Sequence, residues 1–320
     1  MAKILNIAAI NGMVLERGEE PDGEEIRQLN EALVNLDGTG VDLVVTCETM
    51  MMSQKAGTGE ELDNPGPRLT AFRDFAKRNK CVVAGACRLI LDGAARQSIV
   101  YYGHEGEVLG LYHKMFPTPQ AIASGTIPGD GGTVVDTPAG KLGGILCFDL
   151  NFDELRDDYV RMAPDILCFS SYYNGGVIKN NWAVRTHAFM ACALKDGCSE
   201  ILDPLGRTLN VSTYYKRIAQ ARINIDRFVM HGSDNAEKFP DIRRKYKDQV
   251  LIDEDSPSAF AVLYSYSDDV TALDIAREYE LISVEQYFAD CQRELGRHLL
   301  LAEAVLDGKT VAAGLYFAYG

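Results

Sequence analysis

Cys147, Glu48 and Lys114 each stand at the end of an apolar run, and together they carry the side chains that acyl transfer needs. Cys147 closes Lys141-Leu-Gly-Gly-Ile-Leu-Cys147, which reads as a short buried strand. It opens Phe148-Asp149-Leu-Asn-Phe-Asp-Glu154-Leu-Arg156, which reads as the start of an acid-rich helix. A thiol at such an elbow sits near helix-terminal N–H groups and the positive end of a helix dipole. Both lower its pKa and offer donors to an oxyanion. Glu48 follows the apolar run 41–47, and Lys114 ends Gly110-Leu-Tyr-His-Lys114. In open α/β sheets the strand ends form the ligand crevice, so three strand-terminal groups converge there. The chemistry they imply is hydrolysis through a thioester. Cys147 attacks, Glu48 takes the thiol proton and later activates water, and Lys114 lowers the thiol pKa and stabilises the oxyanion.

The neighbours of these residues divide into helpers and bystanders. Phe148 supplies a backbone N–H beside the nucleophile, a suitable oxyanion donor. Asp149 is placed to satisfy backbone donors at the helix start rather than to do chemistry. Glu154 and Arg156 read as a structural ion pair. Tyr172, Tyr173 and Asn174 follow the next apolar run, 166–170, where a pocket wall should lie; Met50, Met51 and Met52 line an apolar pocket or simply pack. A Cys–His dyad with His113 is disfavoured. His113 neighbours Lys114 on a strand, and consecutive strand side chains point to opposite faces.

These residues must be held by alternating strands and helices. Apolar runs predict strands at 4–10, 41–47, 81–87, 98–102, 107–113, 134–136, 141–147, 166–170, 200–203, 207–211 and 218–225. Asp22-Gly-Glu-Glu25 looks like a capping box opening a helix to about Leu36, and further helices are expected at 67–78, 152–162 and 180–187. Gly103-His-Glu-Gly106, Thr137-Pro-Ala-Gly140 and Pro204-Leu-Gly206 mark hairpin turns. The pattern is α/β, mixing βα units with hairpins. After Asp248 the composition changes. Residues 1–247 read as one catalytic domain, and 248–320 as an extension packed on the body or on a second subunit. Its helix is expected from Ser283-Val-Glu-Gln286 to about Val305, with Val284, Tyr287, Phe288, Cys291 and Leu295 as apolar positions.

Composition narrows the partners. The chain has 320 residues, 47 % of them hydrophobic, and a net charge of −14, which argues against nucleic acid and against anionic membranes. No apolar stretch approaches the roughly 18 residues that span a bilayer. The short apolar run near Met1 reads better as a first strand than as a signal peptide. Eight cysteines without a CxxC pair, most of them inside apolar runs, look like the buried free thiols of a reduced, cytoplasmic protein. Neither His-x-His nor His-Glu-x-x-His occurs, so no metal site is expected.

The chain resembles the nitrilase superfamily of carbon–nitrogen hydrolases. The matching segments are Leu43-Val-Val-Thr-Cys-Glu48, Gly106 to Pro117, Pro128-Gly-Asp130, Gly143 to Arg156, Trp182-Ala-Val-Arg185 and Ser199 to Gly206, in the family's order. The resemblance implies a four-layer α-β-β-α sandwich of two mixed sheets and a Glu–Lys–Cys triad at Glu48, Lys114 and Cys147. It also implies cofactor-free hydrolysis of small amides, N-carbamoyl compounds or nitriles by a homodimer or larger homo-oligomer. Three departures stand out. The stretch Gln120–Gly125 has no acid where many members carry a second glutamate. Asn151 stands where members that bind carboxylate-bearing carbamoyl substrates often have arginine, whose fork an amide cannot replace. Only Ala188–Asp196 separates the arginine helix from the next hairpin, so Phe189–Leu194 is a shortened strand or a segment is missing. A linear amide or carbamoyl substrate is the first reading. A nitrile, or a low-turnover binding protein of the same fold, is the alternative.

Overall fold

The computed structural model describes residues 4–12, 21–48, 59–195, 198–213, 215–300, 304–306 and 309–312. The chain divides into two compact units, Lys3–Ile225 and the residues from Asp226 onward.

The first unit is built on two six-stranded mixed sheets. In chain order its elements are β1 (Ile4–Ile10), α1 (Pro21–Val34), β2 (Leu43–Val45), α2 (Pro67–Asn79), β3 (Val82–Leu91), β4 (Ala94–Tyr102), β5 (Val108–His113) and α3 (Pro119–Ala123). There follow β6 (Val134–Thr137), β7 (Gly140–Leu146), α4 (Asp153–Met162), β8 (Ile166–Ser171), α5 (Gly176–Thr186), β9 (Phe189–Leu194), β10 (Glu200–Leu202), β11 (Thr208–Val211) and β12 (Ile218–Asn224). The first sheet has the order β12-β1-β2-β3-β4-β5, the second β11-β10-β9-β8-β7-β6. Each keeps parallel pairs at its centre and antiparallel pairs outside. The central strands are buried along their whole length, Leu43–Val45, Ile166–Ser171 and Phe189–Leu194 alike. Strands covered on both faces need unbroken apolar runs, which is how they read in the sequence. The sheets pack face to face, with α1 and α2 outside one and α4 and α5 outside the other. This is the four-layer α-β-β-α sandwich.

Most expected elements form within a few residues of their sequence bounds. Phe189–Leu194 is a complete strand, parallel to β8 and antiparallel to β10. α5 starts at Gly176, ahead of the expected Asn180, because the Asn174 carboxamide oxygen accepts the Gly176 N–H and starts the helix early. The side chain of Asp22, and with it the proposed capping box, lies outside the described residues, as do Met50, Met51 and Met52.

The second unit holds an antiparallel sheet of β13 (Arg227–His231), β14 (Val250–Asp255) and β15 (Phe260–Ser265), in the order β13-β15-β14. With α6 (Phe239–Tyr246) and α7 (Ala272–Glu278) it encloses a core that includes Met230, Ile242, Ile252, Leu263 and Ile275. This unit starts at Asp226, ahead of the change in composition at Asp248, because β13 takes the place beside β15. α8 (Val284–Leu300) opens where the Ser283 hydroxyl accepts the Gln286 N–H. It stops short of Val305, which lies instead in a two-stranded ribbon of β16 (Ala304–Leu306) and β17 (Lys309–Ala312). Among the described residues no helix is long and apolar enough to cross a membrane.

Candidate active site

Glu48, Lys114 and Cys147 come together at the strand ends of the two facing sheets. Glu48 lies three residues beyond β2, Lys114 directly follows β5, and Cys147 directly follows β7. The Lys114 amine donates to Glu48 Oε1 at 2.7 Å, and both side chains are buried. Glu48 Oε2 accepts the backbone N–H of Tyr172 at 3.1 Å. Each carboxylate oxygen therefore has a fixed partner, and the carboxylate charge lies close enough to the Cys147 thiol to raise its pKa. Burial works against the charged amine of Lys114. The surrounding Glu48, Cys147 and Asp149 outweigh it and hold the lysine pKa above its ordinary value.

Cys147 adopts φ = +50°, the left-handed region, at the junction of β7 with the 3-10 turn Cys147–Asn151. Non-glycine residues rarely adopt this conformation, and such strain recurs where a side chain must be held out for chemistry. The expected low thiol pKa is not found. Burial, then the Glu48 carboxylate, push the Cys147 thiol up to about 11, against the opposing pull of Lys114. The helix dipole contributes little because a five-residue 3-10 turn, not a helix, follows the thiol. The thiol is thus neutral, with the Glu48 carboxylate beside it.

Two glycines let the strands carrying these groups approach. A Cβ at Gly144 would lie 2.6 Å from the Tyr112 side chain, so this position of β7 must be bare for β5 to pack against it. A Cβ at Gly129 would lie 2.3 Å from the His113 carbonyl oxygen, beside the Gly129 N–H that bonds the Lys114 carbonyl at 2.8 Å. His113 points away from the site, as the strand alternation requires. Its Nδ1 meets Ser98 Oγ at 2.8 Å, and burial lowers its pKa.

The carbon–nitrogen hydrolase family model matches residues 14–227. The chain belongs to the carbon–nitrogen hydrolase family. Deaminated glutathione amidase of Dictyostelium discoideum is 27 % identical over 184 residues, which cover 47 % of this chain and 62 % of the relative. Among solved structures, Nit3 of Saccharomyces cerevisiae, a member of branch 10 of the nitrilase superfamily, superposes with a TM-score of 0.60 at 15 % identity. The match covers 77 % of this chain and 95 % of Nit3. A variant of the amidase from Nesterenkonia sp. AN1, with acrylamide added at its active-site cysteine, gives 0.57 at 16 % identity over 74 % of this chain and 99 % of its own.

In this carbon–nitrogen hydrolase the remaining expected site residues fall into three groups. Phe148 is exposed beside the thiol, its ring edge-on to Phe152, which in turn stacks on Phe116. Asn151 joins Phe148 to Tyr173: its Nδ2 donates to the Phe148 carbonyl at 3.0 Å and to the Tyr173 hydroxyl at 3.1 Å. Tyr172 contributes its N–H to Glu48, while its ring is exposed under the Lys195 amine. Asn174 is committed elsewhere, its carboxamide oxygen accepting from Gly176 N and from Lys179 Nζ at 2.7 Å. Glu154 and Arg156 are not a pair. Arg156 bonds Asp153 at 2.8 Å, one helical turn away, and Asp157 at 3.4 Å.

Sequence reasoning missed the support behind these groups. Ser171 Oγ holds both the Tyr173 N–H and its carbonyl, and Cys47 donates to the Ser171 carbonyl at 3.1 Å, fixing the peptide whose N–H orients Glu48. Neither residue type announces such a role: the Ser171 bonds are local, and the Cys47 bond joins segments 124 residues apart.

Proposed function

We propose that this chain hydrolyses a small linear amide or N-carbamoyl compound through a thioester on Cys147. The observation that carries the reading is the buried Glu48–Lys114 pair, 2.7 Å apart, beside the thiol of a strained strand-end cysteine. As sulfur attacks the carbonyl carbon, Glu48 takes the thiol proton. A raised thiol pKa suits this order, because the proton leaves only as the C–S bond forms. The Lys114 amine and the Phe148 N–H offset the charge on the tetrahedral oxygen. Collapse breaks the C–N bond, and the proton held by Glu48 leaves on ammonia or the amine. Water then gives its proton to Glu48 and attacks the thioester, releasing the acid and restoring the thiol.

Phe148, Asn151, Tyr172 and Tyr173 wall the substrate side, with Asn174 fixing the turn behind them. The sequence of steps uses only the chain's own groups and water. An amide is favoured over a nitrile by the relative named an amidase and by a structural neighbour that is itself an amidase. A reduced cytoplasmic setting is supported by eight free cysteines, most of them buried. Assembly into a homodimer or larger homo-oligomer, with the segment 248–320 shaping it, completes the reading.

The test is ammonia release from a panel of small amides, N-carbamoyl amines, N-carbamoyl acids and nitriles, with Cys147→Ala alongside. Release from amides or carbamoyl compounds that Cys147→Ala abolishes is expected. Release only from nitriles, or release that survives the substitution, refutes the reading.

A further inference from the structure

Asp149 is fully buried, yet its carboxylate faces no arginine or lysine at hydrogen-bond distance among the described residues. Oδ2 accepts the Tyr112 hydroxyl at 2.6 Å and the Leu146 N–H at 3.2 Å, and Oδ1 accepts the Phe116 N–H at 2.7 Å. Burying a carboxylate is costly unless its lone pairs are filled, so a residue that only needed to end a strand would be better neutral. What distinguishes Asp149 is where its donors come from. Leu146 is the residue before the nucleophile, on β7 of the second sheet. Tyr112 is on β5 of the first sheet, and Phe116 is two residues beyond Lys114. No backbone ladder joins β5 to β7, because they belong to different sheets. Sheet faces packed through side chains alone set spacing less sharply than hydrogen bonds do.

We propose that Asp149 is a positioning residue whose ionised carboxylate, braced by Tyr112, sets the spacing between Lys114 and Cys147. This rests on the thiol-hydrolase reading above only in assigning those two residues their roles. The groups facing Asp149 are Tyr112 from β5, Lys114 just beyond it, Tyr159 from α4, Tyr173 beyond β8, and Cys147 on its own turn. Burial raises the Asp149 pKa to about 6, against the lowering effects of Tyr112, Lys114 and the two N–H groups. Protonation would turn one oxygen from acceptor into donor, against two N–H groups that can only donate and a Tyr112 hydroxyl that would have to turn from donor to acceptor. The brace would then loosen within a range of pH where the protein can be studied.

The experiment measures the rate at which iodoacetamide labels Cys147 in the full-length chain, read by mass spectrometry across about pH 4.5 to 8. Wild type, Tyr112→Phe and Asp149→Asn are compared, with near-ultraviolet circular dichroism reporting the fold. For wild type, the logarithm of the rate should break near the Asp149 pKa of about 6. Tyr112→Phe removes a charge-assisted donor and should move the break up by about one pH unit with the fold intact. Asp149→Asn should lose the break and label roughly tenfold or more slowly at neutral pH, since small misplacements near the reacting atoms have effects of that order or larger. A wild-type profile without the break, or a break unmoved in folded Tyr112→Phe, overturns the proposal. So does folded Asp149→Asn labelling at the wild-type rate. If Asp149→Asn does not fold, Tyr112→Phe decides alone. Because labelling reads Cys147 directly, the outcome stands whichever amides are hydrolysed. Failure of the thiol-hydrolase reading would appear separately, as ammonia release that survives Cys147→Ala.

Discussion

Glu48→Gln should make Cys147 easier to ionise while abolishing hydrolysis. Burial and then Glu48 hold the thiol at about 11, and Lys114 pulls it down. Glutamine keeps the shape of the side chain, and its carboxamide oxygen can still accept from the Lys114 amine, now 2.7 Å from Glu48. The negative charge and the base are lost. A charge at contact distance moves a neighbour's pKa by about 1–3 units, so the thiol should titrate lower by that much. At mildly alkaline pH the thiolate population then rises roughly tenfold or more. The alkaline limb of Cys147 alkylation by iodoacetamide, followed on the Cys147 peptide by mass spectrometry, reports the shift. Ammonia release on the best substrate should fall by about 10²–10⁴, the usual effect of losing a general base. Loss of fold would also expose the thiol and lower its pKa from about 11 toward 9.0, so near-ultraviolet circular dichroism must show the variant folded for the opposite movements to count. A thiol limb that stays put or moves up in the folded variant would refute the electrostatic account of the site. Hydrolysis retained within a few-fold would refute Glu48 as the base.

The other expectations concern stability and pH. Lys114→Met leaves Glu48 buried without its cation, and denaturant unfolding should show a loss of about 3–5 kcal/mol. Adding Glu48→Gln to it should return about 1–3 kcal/mol of that; a single-variant loss under about 1 kcal/mol would sink the idea of a tightly coupled pair. Gly144→Ala places a Cβ 2.6 Å from the Tyr112 side chain and should destabilise by about 1–3 kcal/mol in the same assay, with a loss of turnover from the displaced Tyr112. An unchanged midpoint and unchanged turnover would show that β5 and β7 have slack. Finally, the folded-state pKa of Asp149 is raised from 3.8 to about 6. The stability this group contributes is therefore fully present below its unfolded value and is lost as pH rises through about 6. Acidifying from neutrality to about pH 5 should thus lower Cys147 labelling while near-ultraviolet circular dichroism stays native; unfolding that tracks the loss of labelling would contradict this sign.

What was legible in the sequence follows from which interactions are local. Ile166–Ser171 could be read as a strand because a strand buried on both faces needs an unbroken apolar run. Glu48, Lys114 and Cys147 could be read as one site because each ends such a run, and the sheets bring those ends together. The thiol pKa could not be read. Elbow and lysine favour the thiolate, and the sign reverses only through burial and the partner 99 positions earlier in the chain, Glu48. The Asp149 brace was half visible. Its bond to Leu146 is local, whereas those to Tyr112 and Phe116 span 37 and 33 residues. The backbone of Cys147 is the sharpest case. A position at φ = +50° is normally announced by glycine, asparagine or aspartate. Here the thiol must occupy it, so the sequence offers an ordinary apolar run ending in cysteine. The strain is compensated by contacts elsewhere, among them the Asp149 bond to the Leu146 N–H one residue before it. A thiol held in this way is the signature that sequence periodicity hides, because the cysteine stands where glycine, asparagine or aspartate would have marked the turn.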